Sequence, residues 1–173
     1  MSLAEQYPQE VTKILAKYPP ERKKSAVMPL LHLAQLKTGY VDKHAVHEIA
    51  EITGITTTEV AEIIGFYTLY HDTPAGKLRI QVCTDIACAL RGADDFLAKL
   101  CERLEIEPGG TTKDGLITVE KVMCLAACDK APMFQVQSGS GLEYHENQTL
   151  ESAMMLIDQL RADARRRGRD GNG

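Results

Sequence analysis

No stretch of this sequence approaches the ~18 consecutive apolar residues of a membrane-spanning helix. The opening MSLAEQYPQEV has no charged region followed by an apolar one, so it does not read as a secretory signal. Both absences predict a cytoplasmic chain without direct membrane insertion, peripheral to a membrane only through an assembly. Positive charge is not in excess: the net charge is -4, which gives a nucleic-acid partner no support. The Gly-Ser-Gly at 139–141 is no dinucleotide fingerprint, because it continues into neither Gly-x-x-Gly nor a helix. A Walker loop is also missing, so the chain itself is not expected to bind NADH or flavin. There is no Cys-x-x-Cys, which removes the thioredoxin-type redox dithiol, and there is no internal repeat.

What remains is an ordinary globular composition, 173 residues with 44% hydrophobic content. That length suits two small domains or one domain with an appendage. The first half reads as helical. Val11, Ile14, Leu15 and Tyr18 recur at helical spacing before Pro19-Pro20. SAVMPLLHLAQLKTGY predicts a second helix capped by Ser25 and stopped at Gly39. DKHAVHEIAEITG predicts a third between Asp42 and Gly54, and TTTEVAEIIGFYTLY a fourth, with Thr56 and Glu59 as a capping box. Four amphipathic helices suggest a small bundle over 1–72.

After HDTPAGK the texture changes. KLRIQVC alternates as a strand, CALRGADDFLAKLCERLEI reads as one helix, and LITVEKVM as a second strand. MFQVQ and LEYHE make a hairpin, and TLESAMMLIDQLRADARRR a closing helix with Thr149 as its cap. The order β-α-β-β-β-α over 73–162 predicts a compact α/β layer, so the chain as a whole reads as α+β. Residues 163–173 are expected to form a basic flexible tail. Five arginines (161, 165, 166, 167, 169) fall in the last 13 residues, leaving 15 basic against 22 acidic residues in the body. A solvated helix end is the plain reading, and contact with an anionic surface the sharper one.

Five cysteines are present. In a reducing compartment they argue for metal binding or catalysis before disulfides. Cys83 and Cys88 enclose four residues, and Cys124 and Cys128 enclose three. Each pair follows a predicted strand. If those strands are neighbours, the four thiols converge at one end of the sheet. Cys88 also falls near a predicted helix N-terminus, where the dipole favours a thiolate. Spacing alone leaves three occupants open. A 2Fe-2S cluster takes four thiolates over a wide footprint. Structural zinc takes a tighter knuckle and staples a poorly cored module, which this apolar chain does not need. Disulfides or unliganded thiols are the third reading.

Other residues read more plainly. Cys101 sits on an apolar helix stripe as a buried hydrophobe. His44 and His47, three apart, fit a solvated helix face before a metal site. Asp94-Asp95 reads as an exposed helix face, not a catalytic dyad. The aromatics of GFYTLY are expected in the core, with a partner surface as the alternative.

The stretches VCTDIACALRGA (82–93), GGTTKDGLITVEKVMCLAACDKAPM (109–133) and GFYTLY (65–70) carry a more specific signal. Through them the second half resembles the thioredoxin-like 2Fe-2S ferredoxins. Over roughly residues 7–160 the chain resembles the 24-kDa subunit family of NADH-quinone oxidoreductase, respiratory complex I. The resemblance implies a helical bundle followed by a thioredoxin-like domain. It implies Cys83, Cys88, Cys124 and Cys128 as ligands of one 2Fe-2S cluster, and no catalytic residue of the chain's own. NADH delivers two electrons and such a cluster accepts one, so a flavin must split the pair. The family places FMN and NADH in a partner flavoprotein subunit, on which the helical half is expected to dock, among other peripheral-arm subunits. The same subunit type also serves NAD-linked hydrogenases and formate dehydrogenases, and a zinc-stapled interaction domain is the alternative of another class. One departure stands out: the family often has Gly where this chain has Ala126, and a positive φ there would strain an alanine by about 1 kcal/mol.

Overall fold

The computed structural model describes residues 2–139 and 141–170, and falls into two compact units, Met1–Pro74 and Ala75–Gly173. The first is helical: α1 (Leu3–Gln6), α2 (Pro8–Leu15), a 3-10 stretch (Pro20–Ala26), α3 (Val27–Thr38), α4 (Lys43–Thr53) and α5 (Thr57–Phe66). Local chemistry sets most of these ends. The Asp42 side chain accepts from Ala45 N–H at 2.8 Å. Thr56 and Glu59 form the reciprocal capping box, at 3.2 and 2.8 Å. Gly39 and Gly54 close α3 and α4 in the left-handed conformation. Ser25 is not a cap, because α3 continues directly from the 3-10 stretch with Ala26 at the capping position. Leu30, Leu31, Ile49 and Val60 form the centre of this unit's core.

The expected helix through Tyr70, with the GFYTLY aromatics in the core, is corrected. The helix α5 ends at Phe66, and Tyr67 is extended. The following aromatics therefore leave the helical phase. Phe66 is 78% exposed, and Tyr67 and Leu69 are exposed as well. Tyr70 lies half-buried and donates its hydroxyl to the Met28 carbonyl at 2.9 Å.

The second unit holds β1 (Leu78–Cys83), α6 (Ile86–Ala89), α7 (Ala93–Leu104), β2 (Ile117–Val122), β3 (Phe134–Ser138), β4 (Gly141–His145) and α8 (Leu150–Asp170). The sheet order is β2-β1-β3-β4. The β1–β2 pair is parallel and the other two pairs antiparallel. Residues from α7 and α8 join one sheet face in a single core, with Ile80, Ile117 and Phe134 against Leu100 and Ile157. Phe96 stacks on Phe134, centroids 6.3 Å apart. By strand alternation the opposite face carries Arg79, Gln81 and Gln135, all buried. They are satisfied by one another: Arg79 pairs with Glu120, Gln81 donates to Glu120 (3.1 Å) and Gln135 donates to Gln81 (2.5 Å).

The predicted single helix from Cys88 is broken into α6 and α7 at Gly92, whose φ is +89°. Thr149 caps α8, accepting from Ser152 N–H at 3.2 Å. The backbone of α8 runs through residues 163–170 of the expected tail. The side chains of Arg167 and Arg169, and residues 171–173, lie outside the described residues. Among the described residues, no helix is long and apolar enough to cross a membrane.

Candidate four-thiol site

The parallel pairing of β1 and β2 positions the site. Cys83 is the last residue of β1 and lies in register with Val122, the last residue of β2. Cys124 follows two residues later, so both cysteine loops leave the sheet at the same end. The Cys83 N–H donates to the Met133 carbonyl (3.3 Å), and Thr84 N–H to Val122 (3.1 Å). Cys88 rides on α6, whose start is fixed by the Asp85 side chain accepting from Ile86 N–H at 2.9 Å. Cys128 opens a short 3-10 turn, Cys128–Lys130.

All five cysteines are free thiols. Four of them share one electrostatic environment: Cys88 senses Cys83, Cys128 and Cys124. Burial, then a hydrogen bond with Cys83 and the other thiols' charge, pushes the Cys88 thiol up to about 12. Cys128 is also raised, chiefly by its hydrogen bond with Cys124. Cys88 does lie at the start of a helix, as expected, but the dipole there is weak. Its helix has only four residues, and burial among like groups prevails.

The site has a buried and an exposed side. Cys83 and Cys88 are buried beside Ala93, Ala131 and Met133, with Leu125 and Ala127 packed alongside. Cys124 and Cys128 are exposed, their sulfurs 4.0 Å apart. Between them Ala126 has φ +60° and points its N–H at Cys124 Sγ, 3.3 Å away. Such a donor stabilises charge on sulfur. The Thr84 hydroxyl oxygen is buried with no hydrogen-bond partner among the described residues. Among these residues, no three His, Cys, Asp or Glu side chains gather round one point to hold a single ion. Four free thiols in two pairs, an amide aimed at sulfur and an unpaired buried hydroxyl suit a group that binds thiolates and bears acceptor atoms.

Cys101 stands apart, buried in the α7 core. His44 and His47 are exposed on α4. Asp94 and Asp95 pair with Lys121 (3.5 Å) and Lys99 (2.6 Å) on the surface. Sequence reasoning misses one feature. Ile86 (77% exposed), Leu90 (84%) and Met123 (68%) border the cysteine loops as large apolar side chains in solvent. A signal for them exists: two aliphatics four apart bracket Cys88, and Met123 precedes Cys124.

Fold and thiols together define an α+β protein in which four free cysteines stand on loops that leave the same end of two parallel strands. The profile of the thioredoxin-like 2Fe-2S ferredoxins matches residues 11–161, and the chain belongs to that family. It is 41% identical over 150 residues to NADH-quinone oxidoreductase subunit 2 of Thermus thermophilus, covering 87% of this chain and 81% of that protein. It is 37% identical over 157 residues to an E-type NADH-quinone oxidoreductase subunit of Rhizobium meliloti, covering 91% and 90%. Against the E-type subunit of Mycobacterium tuberculosis the identity is 38%, over 89% of this chain and 59% of that one. Among solved structures, an NAD+-reducing NiFe hydrogenase shares the fold with a TM-score of 0.66 at 20% identity. The match covers 84% of this chain and 24% of the hydrogenase chain.

Proposed function

We propose that the chain is the 2Fe-2S electron-transfer subunit of the NADH dehydrogenase module of an NADH-quinone oxidoreductase, with one cluster held by Cys83, Cys88, Cys124 and Cys128. One observation carries the reading: in a chain of this family, four free thiols are brought to the same end of two paired parallel strands. A bound 2Fe-2S cluster takes up and returns one electron at a time. The protein's part is to hold and insulate. Cys83 and Cys88 grip from the apolar interior, where Ala93, Ala131 and Met133 keep water out. Cys124 and Cys128 grip from the surface, and the Ala126 N–H steadies the charge on Cys124.

The chain carries no nucleotide-binding loop, so NADH and FMN are assigned to a partner flavoprotein that exchanges single electrons with this chain. The apolar border of Ile86, Leu90 and Met123 beside the exposed thiols supports docking there. The chain acts as part of an oxidoreductase complex, at the membrane only through its partners.

Anaerobic purification of the chain, with iron, acid-labile sulfide and zinc assayed on one sample, tests the reading. Equal iron and sulfide, with an EPR signal from one unpaired spin after dithionite reduction, is the expected result. Zinc without sulfide, persisting after iron-sulfur reconstitution, would overturn it in favour of a structural module.

A further inference from the structure

We infer that the Thr84 hydroxyl donates a hydrogen bond to a sulfur of the group held by Cys83 and Cys88, and thereby raises that group's reduction potential. The inference rests on the proposed function and adds a residue to it. Its origin is a buried donor without an acceptor. Buried hydroxyls almost always have a partner, and an exception points to a missing one. Among the described residues, three buried side-chain atoms lack a hydrogen bond: Thr84 Oγ1, His145 Nε2 and Arg161 Nε. Two have a charged neighbour. Arg161 Nε lies 3.1 Å from the Asp114 carboxylate, and His145 Nε2 lies 3.9 Å from Glu143. For Thr84 Oγ1 no hydrogen-bond partner stands among the described residues.

Its position says what the partner is. Thr84 follows Cys83 directly and precedes Cys88 by four residues, at the strand end where both cysteine loops emerge. Its backbone N–H is already committed to Val122. The adjacent Asp85 side chain is committed to the start of α6. None of the four thiols accepts from the hydroxyl. The acceptor left for it is an atom of the bound group, and in a 2Fe-2S centre the acceptors are sulfurs. A threonine hydroxyl rotates freely to aim its proton. Donation to sulfur favours the reduced form, which carries the extra negative charge, so it raises the potential.

The test compares the full wild-type chain with Thr84→Val, Thr84→Ala and Thr84→Ser, purified without oxygen. Each is assayed for iron and sulfide and titrated by EPR against potential. Val and Ala should keep equal iron and sulfide but titrate at a more negative potential. A tenfold fall in the reduction equilibrium corresponds to about 59 mV for one electron. Ser, which keeps the hydroxyl, should titrate with wild type. If Val and Ala fail to assemble a cluster while Ser assembles one, the donor is also supported. Val and Ala titrating with wild type would overturn the inference, as would Ser shifting as far as Val. Failure of all three to assemble would assign Thr84 a packing role instead. Wild type without iron and sulfide would overturn the proposed function itself, a result distinct from these.

Discussion

At Ala126 the chain asks an L-residue to adopt φ +60°, a conformation glycine takes without cost. The turn lies between Cys124 and Cys128 and delivers the Ala126 N–H to Cys124 Sγ. The left-handed conformation costs a side-chain-bearing residue about 1–2 kcal/mol. Glycine removes that cost but gains freedom in the unfolded chain, which offsets part of it. Ala126→Gly should therefore stabilise the cluster-free chain by up to about 1 kcal/mol, read from the denaturant midpoint at unchanged slope. An unchanged or lower midpoint would show that the turn carries no strain. The sequence points to this position only through the family resemblance, which leads one to expect glycine there; the φ angle supplies the physical reason.

Among the elements, α8 packs its apolar face into the sheet core, and one carboxylate, Asp114, ties its later turns to the loop before β2. Asp114 accepts from Thr112 Oγ1 (2.6 Å) and Leu116 N–H (3.2 Å) within its own turn. It also receives Arg161 (3.1 Å) and Arg165 (3.0 Å) from the helix. The Thr112 hydrogen bond first, then the Leu116 amide and the two arginines, hold its carboxyl below the usual range. A lowered folded value means a contribution that is complete above the unfolded value near 4 and lost as pH falls through the folded one. Asp114→Asn should lower the urea midpoint at pH 7, and the gap to wild type should close as pH drops below about 4. A gap independent of pH would show that packing, not charge, holds the helix. This anchor absorbs Arg161 and Arg165, two of the five arginines in the last 13 residues, which the sequence presents as a solvated helix end or a contact for an anionic surface.

The elements also show what sequence can and cannot reveal. Caps at Asp42, Thr56 and Thr149 are legible because their partners lie three residues away. Convergence of the cysteine loops is legible only as a condition, since pairing of β1 with β2 spans about 40 residues. Burial of Arg79 and Gln81 is not legible. Alternation in β1 reads as one wet face, and only cross-strand partners reveal a satisfied polar row. Where α5 stops is hidden for a related reason: the apolar spacing of GFYTLY continues a helix that the backbone leaves at Phe66.

For the whole molecule, two apolar surfaces carry the assembly question. One belongs to the second unit, where Ile86, Leu90 and Met123 border the exposed thiols. The other belongs to the helical unit, where Phe66, Tyr67 and Leu69 stand in solvent at the end of α5. Apolar side chains this exposed gain nothing for the fold, and their burial against a partner is worth about 25 cal/mol per Å². A central interface anchor of this kind costs about 2 kcal/mol or more when removed, roughly thirtyfold in affinity. Leu90→Asp and Phe66→Asp should each leave iron and sulfide content unchanged, because neither side chain lies in a core. Each should weaken copurification with the proposed flavoprotein partner by that factor. Loss through Leu90 alone would confine docking to the thiol end and remove the role expected of the helical unit. Loss through Phe66 alone would leave the thiol end free for a different electron partner. Wild-type copurification of both variants would overturn the assignment of these surfaces to the flavoprotein.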